Sequence, residues 1–76
     1  MNIKEFENYI NSLTSHFLFD FNNKKCGVDP LSKDEFDVWY GEELHTVKSV
    51  EEVMTIPIFD GSSLTQIFNK IKNVDY

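Results

Sequence analysis

Apolar side chains recur every three or four residues near both ends of this chain and every second residue in its middle, a pattern that predicts helices flanking a sheet. Ile3, Phe6, Ile10 and Leu13, with Tyr9 beside them, predict a helix from Ile3 to Thr14. Asn2 is placed to cap it, and Glu5 stands at the third helical position, as in a capping box. In His16–Phe21 the aromatics Phe17, Phe19 and Phe21 alternate with Leu18 and Asp20, which predicts a strand with one aromatic face. Residues 22–35 show no clear period. They form either a functional loop or a connection hiding a short strand at Cys26–Val28.

Phe36–Tyr40 is the next expected strand, with Phe36, Val38 and Tyr40 on one face and Asp37 and Trp39 on the other. Gly41-Glu42 marks a hairpin turn, and Glu43–Val47 returns as a third strand. A two-residue loop sets His45 and Val47 on the Val38 face; a three-residue loop sets Leu44 and Thr46 there, because one step of register exchanges the faces. Ser49-Val50-Glu51-Glu52 has the form of a capping box for a short helix ending near Thr55, before Pro57. Asp60-Gly61 is a turn, and Ser62 or Ser63 caps a last helix carrying Leu64, Ile67, Phe68 and Ile71 on one stripe, with Lys70 and Lys72 near its C-terminus. The expected fold is α+β: one small domain over residues 1–76, in the order α-β-β-β-α-α. Its three-stranded antiparallel sheet carries the helices mainly on one face.

Composition narrows the picture. Seven phenylalanines in 76 residues let a short chain build one core without staples. The single cysteine, Cys26, cannot close an intrachain disulfide, and the charged N-terminus lacks the apolar run of a signal peptide, so a cytoplasmic protein is expected. Seven lysines with no arginine, beside seven asparagines, fit an AT-rich coding sequence of bacterial or phage origin. The net charge of −6 is concentrated between Asp34 and Asp60, where eight carboxylates face Lys48 alone. Such a chain repels phosphate backbones, which argues against direct nucleic-acid binding and for a basic protein partner.

No motif carries catalysis. His16, Cys26 and His45 lack the spacing that pre-arranges metal ligands, and no cofactor is expected. Asp20-x-Asn22 begins like a calcium loop, but Lys25 and Leu31 stand where glycine and glutamate are needed. Cys26 near Lys24 and Lys25 is the minimum for a thiol nucleophile, and so short a chain offers little cleft to shield it. Asp60-Gly61-Ser62-Ser63 has no phosphate-loop lysine. The expected function is therefore a protein-interaction module rather than an enzyme, and no membrane contact is expected. If the helices cover the Phe17 face, the opposite face presents Leu18 and Trp39 with Asp20, Asp37, Glu42 and Glu43 as a polar rim. If the 22–35 segment or the last helix covers that face, Trp39 is core. Self-association, as monomer or homodimer, is an open variant, and the alternative function is an acidic inhibitor or nucleic-acid mimic acting on a basic, DNA-binding protein.

Overall fold

The computed structural model of the protein describes residues 1–12 and 15–76. Its elements are α1 (Ile3–Asn11), β1 (Phe17–Phe21), β2 (Lys24–Ser32), β3 (Glu35–Tyr40), β4 (Glu43–Val47), α2 (Val50–Thr55), α3 (Leu64–Ile67), a 3-10 turn (Phe68–Lys70) and β5 (Lys72–Asp75). The strands form one antiparallel sheet in the order β4-β3-β2-β1-β5. This overturns the three-stranded sheet and the α-β-β-β-α-α order: the sheet has five strands and the helices are short.

The first missing strand lies in the 22–35 segment. The Asn22-Asn23 turn has both residues at positive φ (54° and 62°), the pattern of a tight two-residue hairpin, so β2 returns directly along β1 with Phe19 opposite Cys26. Pro30 disguises β2, since proline cannot donate to a ladder. Here it is tolerated because β1 pairs with β2 only as far as Val28, so at Pro30 the β2 strand has a partner only on the β3 side, next to a register shift. The second additional strand, β5, begins at Lys72, where the pattern predicts the C-terminus of the last helix. The helix breaks into a 3-10 turn after Ile67, Ile71 is extended, and Lys72 lies opposite Asp20 rather than at a helix C-terminus.

Local signals elsewhere act as their chemistry dictates. The Asn2–Glu5 capping box closes in both directions, the Glu5 N–H donating to Asn2 Oδ1 at 2.8 Å and the Asn2 N–H to Glu5 Oε1 at 2.9 Å. The expected extension of α1 through Leu13 to Thr14 lies outside the described residues. At α2, Ser49 Oγ accepts from the Glu52 N–H, but the Glu52 carboxylate reaches back to the Lys48 N–H instead of Ser49, so the box is only half formed. Ser63, not Ser62, caps α3 and forms a full box with Gln66. Asp60-Gly61 is a two-residue turn that joins Phe59 to Ser62 through backbone hydrogen bonds of 2.9 and 3.1 Å.

All three helices pack on one side of the sheet. Phe17, Phe19, Cys26, Val28, Phe36, Val38 and Val47 from the strands meet Phe6, Ile10, Val53, Met54, Phe59, Leu64 and Ile67 in one buried cluster. The β3–β4 loop has two residues, placing Val38 opposite His45 and Phe36 opposite Val47. No helix among the described residues is long and apolar enough to cross a membrane.

The C-terminal strand is held to β1 by a polar contact. Asn73 Nδ2 donates to Asp20 Oδ2 at 2.7 Å, and Lys25 Nζ stands 3.4 Å from Asp20 Oδ1. The hydrogen bond from Asn73 holds the Asp20 carboxyl below its ordinary value; partial desolvation opposes this, and the Lys25 ammonium adds to the lowering. A carboxyl whose folded pKa is lowered stabilises the fold above its unfolded pKa and loses that contribution as the pH falls through the folded value. Below about pH 4, amide protection of residues 72–75 should therefore fall before that of β2 and β3. Asn73→Ala should loosen β5 already at neutral pH and flatten this acid dependence, as hydrogen exchange against pH will read.

Candidate functional site

The side of the sheet away from the helices is uncovered. Antiparallel residues directly opposite one another share a face, so the pairs Leu18↔Gly27, Gly27↔Trp39 and Trp39↔Leu44 form one row crossing four strands. Leu18 and Trp39 are half-buried, Leu44 is 58% exposed, and Gly27 is the one buried residue of the row. The reason lies in the Trp39 ring, which rests on the Gly27 backbone. A Cβ placed at Gly27 would come within 2.3 Å of it, closer than any real side-chain contact. Glycine in a mid-sheet position marks such a close approach, and here it lets an indole lie flat across the strand. Trp39 is thus neither core nor fully free. It is an aromatic platform flanked by Leu18 and Leu44.

Carboxylates border this row. Asp29 and Asp37 are paired directly across β2 and β3 on the same face, and Asp37 Oδ1 accepts a 2.6 Å hydrogen bond from Thr46 Oγ1. Like charges opposite one another in a ladder cost stability, so this pair is retained at an energetic penalty. On the other side of the row lie Asp20 and Lys25, joined across β1 and β2.

Of the residues singled out from the sequence, Leu18, Asp20, Asp37 and Trp39 share this open face. Glu42 is exposed at the hairpin turn. Glu43 departs from the rest: it lies opposite Tyr40, hence on the helix-side face of β4, and its Oε2 is 2.8 Å from His45 Nε2. Gly27, Asp29 and Leu44 also lie on this face, and the sequence pattern does not single them out. Gly27 and Asp29 lay in the segment without a clear period, and placing Leu44 required the hairpin register.

The chemistry-bearing residues elsewhere are separated. Among the described residues no three His, Cys, Asp or Glu side chains gather as they would around a metal ion. Cys26 is buried on the helix side, and burial pushes its thiol up, away from the thiolate form. Searches of protein-family models, curated proteins and solved structures find nothing that matches this chain.

Two substitutions test this description of the face. Gly27→Ala should displace the Trp39 ring, change its fluorescence and destabilise the fold by about 1–3 kcal/mol, the usual cost of overpacking. Asp29→Asn should raise stability by roughly 0.2–1 kcal/mol through relief of the Asp29–Asp37 repulsion. That gain should shrink at high salt, and denaturant unfolding at two ionic strengths measures both effects.

Proposed function

We propose that this chain is a protein-interaction domain that docks a basic protein surface on the open face of its sheet. The observation that carries this reading is the uncovered row Leu18–Gly27–Trp39–Leu44, an apolar strip centred on an indole and bordered by carboxylates. Large solvent-facing aromatics with a polar border are the usual anchors of protein contacts, because burying them removes apolar area from water while the rim sets orientation. The partner's chemistry follows from charge. Asp29, Asp37 and Glu42 beside the strip call for lysine or arginine on the other side, and the net charge of −6 steers such a surface in from a distance.

The same charges argue against a second copy of the chain as occupant. A two-fold contact through this face would bring carboxylates of the two rims together, an arrangement that like charge opposes. A basic partner that normally holds nucleic acid fits equally well, so action as an acidic inhibitor or mimic is a special case of the same contact. It is recognised by competition with duplex DNA.

The test begins with capture of partners from the native host and continues with the purified partner. Trp39→Ala should weaken that complex by about 2 kcal/mol or more, and neutralising Asp37 and Glu42 should reduce the association rate and its salt dependence. Lys33→Ala, in the β2–β3 turn, serves as control. Calorimetry showing wild-type affinity for Trp39→Ala would remove this face as the contact.

A further inference from the structure

Three of the seven lysines of this acidic chain gather where the β1–β2 turn meets β5. A groove of about 490 Å³ opens there. Lys25, Lys70 and Lys72 line it with Asn23 and Asn73, and Phe21 contributes an aromatic wall. We propose that this groove binds a phosphate group carried on a small molecule.

Three observations converge on that chemistry. First, Lys70 and Lys72 form no ion pair among the described residues, although the chain holds thirteen carboxylates. The break of the last helix into a 3-10 turn and a strand carries both to the groove. Second, Asp20 is the one carboxylate lining the groove, and it is engaged with Asn73 at 2.7 Å and Lys25 at 3.4 Å. It therefore organises the wall more than it opposes an anion. Asp60 lies outside the lining, reaching Asn22 Nδ2 at 3.4 Å. Third, the carboxylates of the β3–β4 hairpin do not line the groove, although the hairpin turn adjoins it through the Gly41 N–H, which donates to the Lys25 carbonyl at 2.8 Å.

The combination selects the ligand. Lys70 and Lys72, with the Asn23 amide and with Lys25 held beside Asp20, match a compact, multiply charged oxyanion better than a monocarboxylate. A nucleic-acid strand is disfavoured, because its further phosphates would meet the net negative surface. The groove's volume falls within the range of small-molecule sites, and Phe21 offers an apolar surface to whatever carries the phosphate.

Amide-resolved NMR titration of the full chain tests this. Inorganic phosphate, pyrophosphate and adenosine 5′-monophosphate are the probes, at low ionic strength. Saturable shifts confined to residues 20–25 and 70–73 are expected, and tighter binding of the nucleotide than of inorganic phosphate would mark an ester as the natural source. Lys70→Gln and Lys72→Gln should each weaken binding by about three- to fivefold, with amide dispersion showing that both variants stay folded. Lys33→Gln should leave it unchanged. Absence of saturable shifts with all three probes overturns the proposal. So do shifts spread equally over Lys4 and Lys33, or a Lys70→Gln/Lys72→Gln double variant that titrates like the wild type.

Discussion

A continuous chain of aromatic rings holds this molecule together. Phe68 touches Phe6 at 5.5 Å, Phe6 meets Phe17 edge-on at 4.7 Å, Phe17 leads to Phe19 at 6.0 Å and Phe19 to Phe59 at 5.7 Å. From Phe59 the contacts pass to Tyr40 and on to Phe21. Every helical or turn segment that covers the sheet contributes to or borders this line, and each such ring buries far more apolar area than an aliphatic side chain. A domain this small has no second core to fall back on. The separate short elements, none of which would be stable alone, are cooperative because they share these rings.

One-sided burial has a direct consequence for the other face. The alternation that turns Phe17, Phe19, Phe36 and Val38 inward turns Leu18, Asp20, Asp37 and Trp39 outward, and no further layer among the described residues covers them. Gly27 decides how Trp39 lies there: with any side chain at that position the indole would have to stand away from the sheet. In the proposed contact, the carboxylates beside this strip would favour a partner of opposite charge.

Charge is divided laterally across the sheet as well as between its faces. The β3–β4 hairpin and the start of α2 carry the excess carboxylates, while Lys24, Lys25, Lys70 and Lys72 lie at the start of β2 and around the start of β5. The two proposed surfaces meet at Asp20 and Lys25, which border the Trp39 row and also line the groove.

The chain's own sequence determined the features that short-range chemistry controls. The capping residues Asn2 and Ser49, the stop before Pro57, the Asp60-Gly61 turn and the aromatic alternation of Phe17–Phe21 were all legible, because each follows from a few neighbouring side chains. The hairpin 36–47 was legible too, though its two-residue loop is fixed only by the pairing of Val38 with His45. Tertiary structure alone decided the rest. Pro30 sits in a strand because β1 stops short of it, and Lys72–Asp75 is a strand because β1 has a free edge to pair with. Glu43 belongs to the helix side through register, and Leu44 joins Trp39 for the same reason. Backbone pairing between distant segments leaves little trace in local periodicity, since its hydrogen bonds are made by groups that every residue carries.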